Sequence, residues 1–247
     1  MKNRETLFQM SDKRILIVMA AGSGTRMGSA LPKQFLDLGG KPVLRRTIET
    51  FLEADPSLKV ITVLPKEHIP WWKEYCLTHD FTCPQVLVSG GFTRFHSVRN
   101  ALDRVPDGAV VAIHDGVRPL LSKEMIVRMF RKMEESGCKA LIPVVPSYDT
   151  LKVLSKIKDE SGEEILVEAQ GETADRSRIF GAQTPQMFVS DIVKEAYSQA
   201  YDTAFTDDAS VVSRIGIPLS FCEGERYNIK LTSPEDMALA RLLVKPC

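Results

Sequence analysis

The 247-residue chain has no excess charge of either sign: 32 Lys and Arg stand against 32 Asp and Glu. That balance creates no overall field toward nucleic acid or an anionic membrane, so any basic site must be local. No apolar run approaches the length of a membrane span. Residues 1–12 also lack the apolar core of a signal peptide and read as a disordered or loosely attached tail on a cytoplasmic protein. The five cysteines, Cys76, Cys83, Cys138, Cys222 and Cys247, form no C-x-x-C pair. An odd, scattered set fits reduced thiols. His68, His79, His96 and His114 are dispersed, so no zinc-ligand cluster appears and a metal, if used, would be a hard ion held by oxygen. No G-x-S-x-G elbow is present, which weakens a serine-hydrolase reading. What remains, 44% hydrophobic and 26% charged residues, is ordinary for a globular protein, and 13–247 reads as one domain.

Apolar, strand-like runs alternate with helical patterns. Strands are expected at 14–19, 59–64, 85–88, 109–113 and 139–145, and helices near 42–54, 67–79, 94–103 and 122–136. The alternation implies an α/β fold with a mostly parallel sheet covered by helices. Pro42 suits a first helical turn, and Ser122 with Glu124 suits a helix start. The rhythm breaks at 146–176. An alternating strand over Pro146–Leu154, a charged turn from Lys156 to Glu164 and a returning strand at 165–168 predict a projecting hairpin arm. Isolated hairpins are marginal in water, so such an arm is expected to pack on a second subunit; a surface loop is the competing reading. Helices near 189–202 and 207–215, a strand at 217–222 and a helix from Pro234 complete the pattern.

The most informative stretch is Ala20-Ala21-Gly22-Ser23-Gly24-Thr25-Arg26-Met27-Gly28, followed by Pro32-Lys33-Gln34. It sits at the carboxyl end of the first strand, where open α/β sheets bind ligands. Small residues let backbone N–H groups approach a phosphate chain, and Arg26 and Lys33 add two cations uninterrupted by an acid. A dinucleotide fingerprint would need glycine where Met27 stands, and a P-loop would need Lys-Ser or Lys-Thr after Gly28. The plain alternative is a flexible turn with two solvated cations.

His114-Asp115-Gly116-Val117-Arg118-Pro119 follows another strand and faces the same crevice. Asp115 could accept from a ribose hydroxyl or help hold Mg²⁺ against phosphates; a turn or capping acid is the alternative. Arg118 could pair with Asp115 or reach an anion. Gly90 and Gly91 clear room for a flat ring, and Ser97 adds a small hydroxyl, although an ordinary capped turn explains the same residues. Asp149-Thr150 and Asp175-Arg176 bracket the arm. Gln183-Thr184-Pro185-Gln186 and Thr206-Asp207-Asp208 precede helices, with Thr206 and Asp207 open to a capping role. Ser233-Pro234-Glu235-Asp236 reads as helix-start chemistry. Lys230 follows Asn228 in what reads as a short strand, and no acid lies within four residues of it.

Taken in order, A-A-G-S-G-T-R-M-G, P-K-Q-F, S-G-G with Ser97, H-D-G-V-R-P, D-T-L-K, Q-T-P-Q-M-F, T-D-D-A-S and N-I-K-L-T-S-P-E-D resemble the 2-C-methyl-D-erythritol 4-phosphate cytidylyltransferases. The likeness runs from about Ile15 to the C-terminal helix. It implies a Rossmann-like, nucleotide-diphospho-sugar transferase fold and Mg²⁺-dependent transfer of CMP from CTP to a polyol phosphate. Carried over by position, Arg26 and Lys33 resemble transition-state stabilisers, and Arg176 and Lys230 resemble residues that position the attacking phosphate. Ala20, Ala21, Gly22, Gly24, Gly90, Ser97 and Asp115 resemble CTP contacts, while Arg118, Thr150, Thr184 and Thr206 lie near the acceptor. The resemblance also implies a homodimer with interlocking arms. The family usually has Ala-Ala where this chain has Gly116-Val117, and valine there is frequent in the related ribitol 5-phosphate cytidylyltransferases. A CTP-binding sensor without turnover is the reading from another class.

Overall fold

Strand β1 (Arg14–Met19) is buried along its length after Arg14, as a run of Ile, Leu and Val without polar alternation requires. In the computed structural model, which describes residues 13–22, 31–169 and 174–244, β1 is central to an eight-stranded sheet. The minimal strands β2 (Asp37–Leu38) and β3 (Lys41–Pro42) pair with each other and lead into α1 (Val43–Ala54). Pro42 occupies the N-cap position rather than the first turn. Next come β4 (Lys59–Leu64), α2 (Ile69–Thr78), β5 (Gln85–Ser89), α3 (Arg94–Leu102), β6 (Val110–Asp115), α4 (Lys123–Ser136) and β7 (Ala140–Pro146).

Strands β5, β4, β1 and β6 lie side by side and parallel. The chain steps outward from β1 through β4 to β5, then crosses to β6 on the other flank. The order therefore reverses beside β1. Ligands of open α/β sheets bind at the carboxyl edge of such a reversal, and Met19 and Asp115 are register partners there.

Helices cover both faces. On one, Leu16, Val18 and Val60 pack against Leu44, Ile48, Phe51, Trp72, Met129 and Phe130. On the other, Ile15, Ile17, Ile61 and Val111 meet Phe95, Val98, Val193 and Val212. The buried positions of α1 (43, 44, 47, 48, 51) and of α4 (125, 126, 129, 130, 133) repeat at helical spacing. Ser122 caps α4 by accepting from the Met125 N–H, and Gly137, at φ +64°, ends it.

The outer flank departs from the sequence reading. Beyond the arm strands β8 (Leu154–Lys158) and β9 (Glu164–Glu168) come β10 (Phe180–Ala182) and β11 (Gln186–Val189), neither of which was expected. Strand β11 runs antiparallel between β6 and β7, and β10 pairs with the far end of β7. Helices α5 (Ser190–Tyr197) and α6 (Asp208–Arg214) follow, then β12 (Ser220–Glu223), parallel to β7, and α7 (Pro234–Leu243). Helix α5 stops well before 202, and the Gln199 side chain donates to the carbonyls of Ala196 and Val211 just beyond its end. Strand β12 starts at Ser220, since Pro218 has no N–H for a ladder.

The arm is a hairpin, but shifted. Ser147–Val153 is irregular, and the two ends of the expected charged turn are strand, Lys156–Lys158 and Glu164, with Lys156 paired to Glu164 at 2.6 Å. The turn is 159–163, where the Asp159 carboxylate accepts from the N–H groups of Ser161 and Glu163 and Gly162 takes φ +85°. Ile157 and Ile165 are register partners, with Val167 on the same face.

Truncating Phe51, fully buried under the sheet, is expected to cost about 3–5 kcal/mol of stability. Urea unfolding of Phe51→Ala checks this, and a loss under about 1 kcal/mol would remove that face from the core.

Candidate active site

Three chain segments meet at the carboxyl edge beside β1 and enclose an open cleft of about 510 Å³. The first is the end of β1 with Ala20, Ala21 and Gly22. Its backbone is held from below by Gln34, whose buried amide donates to the carbonyls of Ala20 at 2.7 Å and Gly22 at 3.1 Å. Gln34 belongs to a single 3₁₀ turn, Lys33–Phe35, whose Phe35 packs against Trp71 at 4.5 Å. That aromatic anchor places Lys33 in the cleft wall. Gly24 and Arg26 lie outside the described residues.

The second segment is the turn between β5 and α3. A Cβ on Gly90 would stand 2.5 Å from that of Ala21, so only glycine lets the two loops touch. The Ser97 hydroxyl accepts from the Gly91 N–H and donates to the Thr93 carbonyl, both at 2.9 Å. Thr93 in turn caps α3. Ser97 thus lines the cleft with its hydroxyl already engaged in bracing the turn.

The third segment carries the charge. Asp115, its side chain only 9% exposed, faces Lys230 at 3.0 Å, Arg118 at 3.3 Å and Arg94 at 3.8 Å. Burial alone would raise its pKa; the three cations more than reverse this and hold the carboxyl well below the usual range. Arg94 is clamped by both oxygens of the fully buried Asp208. Burial works against its charge, but Asp208 and Asp115 keep it firmly protonated.

Behind Asp115, fully buried His114 ties the turn after β6 to the link between β10 and β11. Its Nε2 lies 3.1 Å from the Arg118 carbonyl, which can only accept, so Nε2 carries the proton and Nδ1 accepts from the Thr184 hydroxyl at 3.0 Å. Thr184 Oγ1 accepts from the Asp115 N–H at 3.1 Å. Burial pushes the His114 pKa down to about 4.

A crevice at a sheet reversal, with one buried carboxylate among cations and a small-residue loop, fits a phosphate-bearing ligand. The profile of the 2-C-methyl-D-erythritol 4-phosphate cytidylyltransferase family matches residues 14–246. The chain belongs to that family. The enzyme so named in Bacteroides fragilis is 46% identical over 231 residues, 94% of this chain and 99% of the relative. Its Porphyromonas gingivalis counterpart is 43% identical over 237 residues, 95% and 99% of the two chains. Among solved structures, the Francisella tularensis cytidylyltransferase superposes with TM-score 0.74 at 29% identity, covering 94% of this chain and all of the other. The Anaerococcus prevotii 4-diphosphocytidyl-2C-methyl-D-erythritol synthase gives 0.73 at 26%, with 94% and 99% covered.

Against the family's motifs, the fold brings Ala20, Ala21, Gly22, Lys33, Ser97, Asp115 and Lys230 together in the cleft, with Gly90 directly behind. Arg118 touches it only through Asp115, because its Nη1 donates to the Asn228 carbonyl at 2.7 Å. Thr184, expected beside the acceptor, is instead buried behind Asp115. Thr206 is an exposed residue ahead of α6, whose N-cap is Asp207. Thr150 is exposed near the arm, and Arg176 donates to the Tyr148 carbonyl at the arm's base, away from the cleft lining. Asn228 is in irregular chain, not a strand. Ser233 and Asp236 form a capping box, as expected.

Gln34, Phe92 and Arg94 line the cleft although no role was assigned to them from sequence. Arg94 was hidden because Asp208 is 114 positions away. Gly116 is explained by crowding: a Cβ there would stand 3.0–3.1 Å from Val18, Ala20 and Leu44.

The buried imidazole makes stability pH-dependent. His114 is protonated near 6.5 when unfolded but only near 4 when folded. The unfolded chain therefore binds the extra proton between those values, and stability falls as pH drops through that window by up to about 3 kcal/mol. Urea unfolding at pH 7 and 4.5 is expected to show that loss in the native protein and a smaller one in His114→Gln. Equal slopes would dismiss the assignment.

Proposed function

We propose that the chain transfers the cytidylyl group of CTP to 2-C-methyl-D-erythritol 4-phosphate, releasing pyrophosphate, in isoprenoid biosynthesis. The observation that carries this reading is the family match over 14–246 coinciding with a cleft lined by Lys33, Lys230 and Asp115. A phosphate oxygen of the acceptor attacks the α-phosphorus in line, and the α–β bridging oxygen leaves with pyrophosphate. The attacking phosphate is already anionic at neutral pH, so no side chain need remove a proton. His114, neutral and sealed from the cleft, is not asked to. Catalysis then rests on holding two anions together and neutralising charge as it builds.

In this scheme the Ala20–Gly22 backbone and Lys33 receive the triphosphate, and the family resemblance gives Arg26 the same task. Lys230 exchanges its Asp115 contact for the acceptor phosphate. No cluster of three or more metal-binding side chains occurs among the described residues. A single carboxylate, Asp115, fits Mg²⁺ that arrives with the nucleotide and keeps its other ligands from phosphate and water. Bound there, Mg²⁺ would supply further charge neutralisation. Arg176 and Thr150 reach an acceptor most simply from a second copy, through arms that interlock in a homodimer. The exposed Ile157 and Ile165 support an arm that is covered in use.

Calorimetry with the four nucleoside triphosphates is expected to show strong preference for CTP; equal affinity for ATP would reject the base assignment. Arg26→Ala and Lys33→Ala are each expected to lower kcat at least about 100-fold, a loss on the order of 3 kcal/mol, with circular dichroism unchanged. Near-native turnover in both would remove them from catalysis. A coupled pyrophosphate assay with both acceptors tests the substrate. Faster reaction with ribitol 5-phosphate would move the chain to that branch, and no turnover with either would favour a sensor.

A further inference from the structure

Phe92 is the odd residue of the cleft. It lines the cavity, yet its side chain is fully exposed, at 101% of the reference area. An aromatic ring that lines the cleft and is left uncovered by the rest of the chain presents its flat face to whatever binds there. Its surroundings indicate what. The nearby polar groups are already paired among themselves: Ser97 with Gly91 and Thr93, the Thr93 hydroxyl 2.8 Å from His96 Nδ1, and Arg94 turned into Asp208. This end of the cleft offers a phosphate little, whereas Lys33 and Lys230 line the same cleft.

The ring is also supported. It meets the His96 imidazole edge-on, at 6.4 Å and 89°. That imidazole packs on Phe95 and Tyr201, at 5.6 and 5.4 Å. Gly91 allows the turn to lie this close, since a Cβ there would stand 2.6 Å from that of His96.

We propose that the Phe92 ring is a stacking platform for the pyrimidine of the bound nucleotide. The proposal rests on the nucleotidyl-transfer reading for the presence of a nucleotide. It adds the residue that receives the base. A polyol has no flat face to offer the ring, so the acceptor is not the occupant. Aromatic–base stacking is sequence-tolerant, so Phe92 contributes affinity while the neighbouring backbone is left to discriminate the base edge.

The test separates base from phosphate. Calorimetry of Phe92→Ala is expected to show CTP binding weakened about 10-fold or more. Inhibition by pyrophosphate, which has no base, is expected to stay within about twofold of native. Phe92→Tyr and Phe92→Trp are expected to restore CTP binding to within about threefold. Unchanged CTP affinity in Phe92→Ala overturns the proposal, as does equal weakening of CTP and pyrophosphate, which would report a distorted turn. A change confined to oligomeric state overturns it too, by making the ring a surface for a second copy. Because calorimetry needs no acceptor, a native protein that binds CTP without turnover would sink the transfer reading and leave Phe92 tested. A native protein that does not bind CTP sinks both.

Discussion

One buried carboxylate organises the functional end of this molecule. Asp115 terminates β6 at the point where the strand order reverses, and it draws in Lys230, Arg118 and Arg94 from three separate parts of the chain. None of these cations would be fixed there by its own local structure. Lys230 lies in irregular chain, Arg118 in the turn after β6 and Arg94 in the first turn of α3. A buried charge without partners is strongly destabilising, so the fold that buries Asp115 also dictates where the cations must stand.

That requirement propagates backward into the scaffold. Arg118 reaches Asn228, whose side chain donates to the Thr184 carbonyl at 2.8 Å. Thr184 connects to His114 and to the Asp115 backbone. Arg94 connects to Asp208, which also accepts from the Tyr197 hydroxyl. The cleft wall is thereby joined to the turn before β11 and to α5 and α6, of which only the two helices are signalled by their own sequences. Of the threonines that read from sequence as candidate acceptor contacts, Thr184 is spent inside this network, whereas Thr150 and Thr206 stand exposed outside it.

The same division explains what could be read before the fold was known. Strands β1, β4 and β6 announce themselves because both faces are buried and their runs are uninterrupted, while β7, buried over its first four residues, and β5, a partly exposed edge strand, are legible from their apolar runs. The small-residue loop and Asp115 are legible because local composition alone makes them unusual. Strands β10 and β11 were missed since each is only a few residues long and is stabilised by partners distant in sequence, such as Pro146 for Phe180 and Ile113 for Gln186. Only the first arm strand is misplaced, because β8 alternates Lys156 and Lys158 with Ile157, a pattern that resembles a charged turn; the returning strand lies within one residue of its expected bounds. Lys230 was noticed for having no acid nearby in sequence; in space it has one at 3.0 Å. Arg94 carried no local signal, because its meaning depends on Asp208.

A carboxylate at the centre of an anion site needs justification, since it must repel phosphate as well as gather cations. The charge count resolves the tension. Asp115 and Asp208 face Lys230, Arg118 and Arg94, so this cluster is positive by one. Asp115 itself partners these cations and keeps like charges from driving the wall apart. When an anion enters, the partner most able to turn toward it is Lys230, the most exposed of the three, at 42% for its side chain. Arg118 and Arg94, at 13% and 31%, retain fixed partners in Asn228 and Asp208. The site therefore combines two cations locked into the scaffold with one on a flexible stem. Little reorganisation is then needed when charge arrives, which is the condition under which electrostatic stabilisation is most effective.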